Sequence, residues 1–313
     1  MSQKESIVCV TGASGHIGSH VVQVLLRRGY TVRATVRDPA DEKKTAHLRA
    51  MAEAEDAAGS LELMAADLLQ EGSFDSAVAG CSLVCHVAAS VKLRSDDPQR
   101  EIVDPAVKGT ANVLGAVRKA GTVKRVVITS SIAAVFDHTQ PRDKVYTEED
   151  WNQGSTLASE PYNLAKTEAE RWAWDEHANL PEDERYELVV LNPVVVFGPL
   201  FTRGHGRSSP ALLRDILARA IPACPRISLS TVDVRDVAEA HALALEKPEA
   251  SGRYILHNEG LWMQEIAKMI SPHFPAYKVP TRRLPNIAMY ATSLFDKRIT
   301  FSWVRRNIGR KYN

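Results

Sequence analysis

The stretch that decides the fold runs Thr11-Gly12-Ala13-Ser14-Gly15-His16-Ile17-Gly18. An apolar, strand-like run at residues 7–10 precedes it, and a helical pattern at residues 20–28 follows and ends at Gly29. Glycine at every third position permits a tight turn, close approach of the backbone to a phosphate, and close packing of the helix on the strand. The free N–H groups at the start of the helix favour a diphosphate. The context therefore predicts a dinucleotide-binding loop.

Strand-like runs alternate with helical patterns through the first two-thirds of the chain, which predicts an α/β fold with helices on both faces of a parallel sheet. Right-handed crossovers between the strands give a doubly wound parallel sheet of the Rossmann type. Six strands are expected, at residues 7–10, 31–36, 61–65, 83–86, 125–129 and 187–191.

Beyond Pro193 the pattern changes to a loop rich in Gly, Pro, Ser and Arg at residues 198–210, followed by short elements that prolines interrupt. This change predicts a smaller C-terminal substrate lobe. We expect the dinucleotide-binding Rossmann domain at residues 1–195, with 226–257 returning to it, and the lobe at 196–225 and 258–313. The basic stretch at 305–311 is expected to be a solvated tail.

The end of the second strand bears on the choice of cofactor, because this position faces the adenosine ribose. An acid there accepts from both ribose hydroxyls, whereas an arginine pairs with a 2′-phosphate. The sequence offers Arg37, and Lys43 or Lys44 could add a second positive charge, so we expect NADP(H). The neighbouring Asp38 leaves NAD as the alternative.

Two further strand ends are expected to line the adenine and the diphosphate. They contribute Asp67 and Leu68 after the third strand, and Val87, Ala88 and Ala89 after the fourth.

A tyrosine and a lysine four residues apart, Tyr162 and Lys166, share one face of a predicted helix that Ser159 caps. A phenol is a slow proton donor at neutral pH, and an ammonium that stabilises the phenolate makes the pair a usable general acid. The strand at 125–129 delivers Ser130 and Ser131 to the carboxyl edge of the sheet, where a hydroxyl can donate to a substrate oxygen. Residue chemistry alone does not choose between these two serines.

These three motifs, in this order, resemble the extended short-chain dehydrogenase/reductase family over residues 6–257. The phrases at 32–39, 71–75, 192–193, 198–199 and 232–238 look like the branch of dihydroflavonol 4-reductases, cinnamoyl-CoA reductases and methylglyoxal (aldehyde) reductases. The resemblance implies that Ser131 is the catalytic serine and that Lys166 also holds the nicotinamide ribose.

The same resemblance implies contacts in the second half of the chain. It places Pro193, Val195 and Val196 beside the nicotinamide, and it brings Ser208 or Ser209 near the diphosphate.

Two departures from these relatives bear on the substrate. The segment before Lys166 lacks the Cys-containing signature of cinnamoyl-CoA reductases, and Phe136 stands where dihydroflavonol reductases often place an amide. We expect Phe136, Val194 and Phe197 to line an apolar pocket. The prediction is an NADPH-dependent carbonyl reductase that converts an aldehyde or ketone to an alcohol, with Tyr162 as proton donor.

Three alternatives remain open for the function. They are a dihydroflavonol or cinnamoyl-CoA type reductase, a nucleotide-sugar epimerase or dehydratase, and a redox-sensing regulator that binds NADP without turnover.

The chain of 313 residues carries a formal net charge of +1, which gives no overall attraction to nucleic acid or to an anionic membrane. Its four cysteines lack metal-ligand and disulfide spacing, so we expect buried thiols and no metal. No stretch reaches the roughly 20 apolar residues of a membrane span. We expect a cytoplasmic monomer or homodimer whose partner is a small-molecule carbonyl substrate.

Overall fold

The computed structural model describes residues 6–207, 209–294 and 301–311. Within these ranges the chain forms ten strands: β1 (Ile7–Thr11), β2 (Thr31–Val36), β3 (Ser60–Ala65), β4 (Leu83–His86), β5 (Arg125–Thr129), β6 (Glu187–Pro193), β7 (Val195–Phe197), β8 (Ser228–Asp233), β9 (Gly252–Leu256) and β10 (Glu259–Trp262). The same ranges hold ten α-helices: α1 (His16–Arg27), α2 (Glu42–Ala52), α3 (Asp75–Val78), α4 (Asp104–Ala120), α5 (Pro161–Ala178), α6 (Ala211–Leu217), α7 (Val234–Glu246), α8 (Met263–Ile270), α9 (Asn286–Thr292) and α10 (Phe301–Asn307).

Seven strands form the main sheet in the order β3-β2-β1-β4-β5-β6-β9, and every neighbouring pair is parallel. The predicted doubly wound α/β fold is thereby confirmed. The order reverses between β1 and β4, so the carboxyl ends of these strands border the crevice in which open α/β sheets bind ligands. The glycine loop follows β1 at this point.

Helices cover both faces of the sheet. On one face α1, α2 and α7 share an apolar cluster with the strands, and α1 contributes Val21, Val22, Leu25 and Leu26 to it. On the other face α3, α4 and α5 pack over a second cluster. All four cysteines are free and buried, as the sequence predicts.

The sequence analysis missed the seventh strand, β9, which pairs with β6 at the edge of the sheet. Its residues are half-buried or exposed, so they lack the apolar run that marks the inner strands. β9 lies within the segment 226–257 that we expected to return to the Rossmann domain.

The later part of the chain builds a second sheet, β10-β8-β7, and two small apolar clusters of its own. One cluster centres on Ile216 and Met263 and the other on Met289 and Val304. The expected solvated tail at 305–311 is wrong for Arg310, which is only 4% exposed. The division of the chain into domains stays a prediction.

The start of α5 differs from the prediction. Glu160 is the N-cap residue, and Ser159 is not, because the Ser159 hydroxyl accepts a hydrogen bond from the Thr156 amide in the preceding turn, at 3.1 Å. Tyr162 and Lys166 nevertheless fall in the first two turns of the helix, as expected.

Candidate active site

The glycine loop joins β1 to α1, and its geometry requires glycine at two positions. Gly12 has a φ of +66°, and a Cβ there would lie 2.7 Å from the Cα of Ala88. A Cβ on Gly18 would lie 2.3 Å from the carbonyl oxygen of Gly12, so α1 can pack this closely only without a side chain. Gly15 is the N-cap residue of α1, and no side chain caps the helix. The first backbone N–H groups of α1 are therefore available to donate hydrogen bonds to an anion.

Thr11 ties the ends of β1 and β4 together. Its hydroxyl oxygen accepts from the amides of Val87, at 3.1 Å, and Ala88, at 3.0 Å, and lies 2.9 Å from Nδ1 of His86. Because both lone pairs are used, the hydroxyl proton is donated to Nδ1, and the ring proton of neutral His86 is on Nε2. Burial and the positive charge of Lys166 lower the pKa of His86 to about 3, so this residue is neutral.

A loop after β7 packs against the start of α1. Nε2 of His205 donates to the carbonyl oxygen of Ser14, and Nε2 of His16 donates to the carbonyl oxygen of Pro199, both at 3.1 Å. Burial lowers the pKa of both histidines. Ser208, which the resemblance brings to the diphosphate, lies outside the described residues.

An exposed positive charge lies at the end of β2. Arg37 is exposed and has no hydrogen bond or ion pair with the rest of the described chain. The carboxylate of Asp38 accepts from the backbone amide two residues later, at 2.9 Å, and so closes its own turn. Lys43 and Lys44 are exposed in the first turn of α2, where the ammonium of Lys44 lies 2.8 Å from the carboxylate of Asp41. A 2′-phosphate at this position could therefore pair with the exposed guanidinium of Arg37. The carboxylate of Asp38 is already hydrogen-bonded within its own turn.

The predicted catalytic residues meet at the carboxyl edge of the sheet. The Tyr162 phenol lies beside the Ser131 hydroxyl, which accepts from the Ala133 amide at 3.2 Å. Burial raises the pKa of Tyr162, and the hydrogen bond from Ser131 opposes this effect. Burial lowers the pKa of Lys166 to about 8, and the negative charge of Glu170 opposes that change. The geometry selects Ser131 over Ser130 as the partner of Tyr162.

A cleft with an empty volume of about 490 Å³, part of which is open to solvent, lies against Tyr162 and Lys166. It is lined by five residues that the sequence predicts for cofactor binding or catalysis: Leu68, Ala88, Ala89, Tyr162 and Lys166. The cleft is also lined by His86, Ser130 and Glu170.

Other predicted cofactor residues surround the ends of β3 and β6. The carboxylate of Asp67 accepts from the amide of Leu69 at 2.9 Å, within the turn after β3. Pro193 ends β6, and Val195 lies half-buried in β7. Val196 is buried in an apolar cluster against which Ile17 packs. Contacts of these residues with the cofactor stay predictions.

The three predicted substrate residues do not line the cleft. Val194 is buried in the same apolar cluster, and Phe197 is half-buried at the end of β7. The ring of Phe136 lies 5.2 Å from the ring of Tyr146 and 4.9 Å from the guanidinium carbon of Arg310. Their roles in substrate binding stay predictions.

Three buried polar residues beside the site were not predicted: Asn192, Glu170 and Arg253. Glu170 could have been noticed, because an acid four residues after Lys166 lies on the same helix face. Asn192 belongs to the phrase at 192–193 that the resemblance singles out, whereas Arg253 lies on a strand distant in sequence and no local pattern marks it.

The sequence profile of the NAD dependent epimerase/dehydratase family matches residues 8–257, which is most of the chain. The chain belongs to this family. The match covers the glycine loop, both serines, Tyr162 and Lys166, so the candidate site described above lies within the part that the family model matches.

Among relatives within the family, cinnamoyl-CoA reductase CAD2 of Medicago truncatula is 41% identical over 281 residues, covering 88% of this chain and 83% of that protein. Dihydroflavonol 4-reductase of Arabidopsis thaliana is 36% identical over 314 residues, covering 97% and 80%. Gre2 of Candida albicans in complex with NADPH has a similar structure, with a TM-score of 0.77, 30% identity and coverage of 89% and 86%. The resemblance to this branch of the extended short-chain dehydrogenases/reductases is confirmed.

None of the helices in the described ranges has the length and apolar character needed to cross a membrane. The same residues contain no group of three or more His, Cys, Asp or Glu side chains arranged to hold a metal ion.

Proposed function

We propose that this protein uses NADPH to reduce the carbonyl group of an aldehyde or ketone to an alcohol. Its assignment as an NADP(H)-dependent oxidoreductase agrees with its relatives, which are reductases, and with the Candida structure that holds NADPH. The observation that carries the finer proposal is the placement of Ser131 beside Tyr162, with Lys166 one helical turn away and lining the same cleft as Tyr162.

Tyr162 and Lys166 line the cleft, and Ser131 lies beside Tyr162, so the three residues would supply acid catalysis together. NADPH, when bound, supplies a hydride for the carbonyl carbon. Tyr162 donates its phenolic proton to the carbonyl oxygen, and Ser131 donates a hydrogen bond to the same oxygen as negative charge develops. Lys166 stabilises the resulting phenolate and would also hold the nicotinamide ribose. The pKa of Lys166, near 8, leaves its ammonium largely protonated at neutral pH.

The residues at the start of the chain fit the cofactor. The glycine loop, with Thr11, Ser14, Gly15, His16 and Ile17, would hold the diphosphate against the uncapped start of α1. The 2′-phosphate would pair with the exposed Arg37, because the carboxylate of Asp38 is engaged in its own turn.

Further cofactor contacts would come from the other strand ends. Lys43 and Lys44 would add positive charge near the 2′-phosphate. Asp67 and Val87 would flank the adenine side, with Leu68, Ala88 and Ala89, and Pro193, Val195 and Val196 would lie beside the nicotinamide. Ser208 would approach the diphosphate.

The proposed substrates are small or aryl-substituted aldehydes and ketones. By the resemblance, Phe136 stands where dihydroflavonol reductases often place an amide, so a flavonoid hydroxyl there would lack its partner, and an unpaired buried hydroxyl costs about 1 to 3 kcal/mol. Val194 and Phe197 would add apolar surface. Reduction of a cinnamoyl-CoA ester or a dihydroflavonol is the second candidate, because the identities of 41% and 36% are to enzymes with these names.

The test is the rate of NADPH oxidation by the purified protein with a hydrophobic aldehyde, a diketone, cinnamoyl-CoA, a dihydroflavonol and a nucleotide sugar. We expect kcat/KM for the aldehyde or diketone to exceed that for the other substrates by about tenfold, which is roughly 1.4 kcal/mol. A preference for cinnamoyl-CoA or the dihydroflavonol would replace the proposed substrate class. Conversion of the nucleotide sugar without net NADPH oxidation would replace the reaction itself.

A cytoplasmic location and a monomeric or homodimeric state also stay proposals. Light scattering during size-exclusion chromatography measures the second.

A further inference from the structure

One stripe of helix α5 carries three ionisable residues at intervals of four positions: Tyr162, Lys166 and Glu170. Residues with this spacing lie one above another on the same helix face. Glu170 is the deepest of the three, with a side chain only 1% exposed. A carboxylate removed from water to this extent needs hydrogen bonds and an opposite charge, so its partners show what it does.

Both carboxylate oxygens of Glu170 have partners. Oε1 accepts from Nε of Arg253 on β9 at 2.6 Å, and that side chain is only 8% exposed. Oε2 accepts from the Ser130 hydroxyl and, at 2.8 Å, from Nδ2 of Asn192 on β6. One carboxylate therefore connects α5 with β6, β9 and the turn that follows β5.

Arg253 is itself held in place. Its Nη1 donates to the carbonyl oxygens of Glu148, at 2.8 Å, and Asp150, at 2.6 Å. Its guanidinium carbon lies 3.9 Å from the ring centre of Trp151. These contacts restrict the guanidinium to the orientation in which it meets Glu170.

The connection extends to the serine that meets Tyr162. Nδ2 of Asn192 donates to the carbonyl oxygen of Ser131 at 3.1 Å as well as to Glu170. Both neighbours can only accept, so the amide orientation is fixed. Glu170 thus holds Ser130 through its hydroxyl and Ser131 through Asn192.

The arrangement also sets the net charge around Tyr162. Lys166 and Arg253 are positive and Glu170 is negative, so the buried group carries a net charge of +1, and a phenolate on Tyr162 would bring it to zero. The other titratable groups nearby are His86 on β4, which is neutral, and Glu148, whose carboxylate accepts from the Ile255 amide at 3.1 Å.

We propose that Glu170 is a positioning residue of the catalytic site, which fixes the Ser130–Ser131 turn beside Tyr162 and balances the ammonium of Lys166 from one helical turn away. This inference rests on the catalytic role proposed above for Tyr162. It differs from a purely structural ion pair, because it requires the charges of Glu170 and Arg253 to act on Tyr162 with opposite signs.

The test is a spectrophotometric titration of the Tyr162 phenolate, obtained by subtracting the titration curve of a Tyr162→Phe protein in the same background. Glu170→Gln removes a negative charge that repels the Tyr162 phenolate, so the midpoint moves to lower pH. Removing the positive charge in Arg253→Met moves it to higher pH. Glu170 and Tyr162 lie two helical turns apart, roughly 12 Å along α5, so at an effective dielectric constant of about 20 we expect the Glu170→Gln shift to be on the order of one unit.

Midpoints that stay at the wild-type value, or that move in the same direction in both variants, overturn the proposal. Glu170→Gln leaves Arg253 unpaired and could unfold the chain, so the double variant Glu170→Gln/Arg253→Met is measured as well. We expect its midpoint to fall by less than in Glu170→Gln, because Glu170 is the nearer charge to Lys166. An unshifted or raised midpoint in the double variant also overturns the proposal.

A second readout is the pH profile of kcat/KM for carbonyl reduction. Its basic limb should move in the same directions as the phenolate midpoint, because reduction needs protonated Tyr162. The titration needs no turnover, which separates the two proposals. Loss of turnover in Tyr162→Phe with unmoved midpoints rejects only the role of Glu170. Opposite midpoint shifts with an active Tyr162→Phe support the charge coupling and reject the proposed catalytic role of Tyr162.

Discussion

Replacing Gly18 with alanine tests the packing of α1 against the glycine loop. The new Cβ would lie 2.3 Å from the Gly12 carbonyl oxygen and 3.1 Å from the Cα of Ala13, both of which are backbone atoms. Ordinary contact begins at 3.4 Å, so the start of α1 must move by about 1.1 Å, the difference between 3.4 and 2.3 Å. Overpacking of this kind costs about 1 to 3 kcal/mol of unfolding free energy. The shift also misaligns the first amides of α1 with the diphosphate.

We expect Gly18→Ala to lower the midpoint of urea denaturation and to raise the Kd for NADPH by about tenfold or more, the effect of losing one hydrogen bond to a charged group. Fluorescence titration with NADPH measures the second effect. The matched control is Gly115→Ala in α4, where the added Cβ meets no atom within 4 Å. Alanine is favoured over glycine in a helix by about 1 kcal/mol, so the control should be more stable and should bind NADPH normally. Wild-type stability and affinity in Gly18→Ala would refute the steric argument.

Three further predictions concern the cofactor, the proton donor and acid stability. Arg37→Ser should weaken NADP(H) binding by about 1.5 to 3 kcal/mol and leave NADH binding nearly unchanged, measured by fluorescence titration; equal wild-type affinity for NADH and NADPH would contradict the assignment. Tyr162→Phe removes the transferable proton, so turnover should fall about 10²-fold with NADPH affinity retained, and a variant with most of its turnover would exclude the mechanism. Burial lowers the pKa of His241 from 6.5 to about 4, so the unfolded chain binds the proton more readily. The free energy of unfolding should therefore fall as pH drops from 6.5 toward 4, by about 3 kcal/mol from this group, and the dependence should flatten in His241→Asn if denaturation is followed across this range.

The inner strands could be predicted because the residues of each strand form a recognisable pattern within a short stretch of sequence. β2, β4 and β5 occupy the predicted residues, since β2 and β5 are mostly β-branched and β4 is a short, mostly apolar run. β9 was missed because an edge strand needs no continuous apolar run, and its residues are half-buried or exposed.

The candidate site also contains features that the sequence predicts and features that it does not. The glycine loop and the Tyr162–Lys166 spacing are patterns within a few residues, and steric and helical geometry give such patterns a structural meaning before the fold is known. The sequence alone could not choose Ser131 over Ser130, except by family resemblance. In three dimensions Ser131 lies beside Tyr162, whereas the Ser130 hydroxyl donates to Glu170, and the catalytic role of Ser131 stays a prediction.

The sequence by itself determined the doubly wound fold, the glycine loop and the helix that carries Tyr162 and Lys166, because each depends on the short-range periodicity of apolar residues and glycines. Only the tertiary structure decided which distant polar groups meet. Glu170 pairs with Arg253 across 83 positions, and Thr129 bonds His241 at 2.7 Å across 112. Periodicity shows that a side chain faces the interior, but the partner that compensates its charge or hydrogen-bonding group is set by how strands and helices pack.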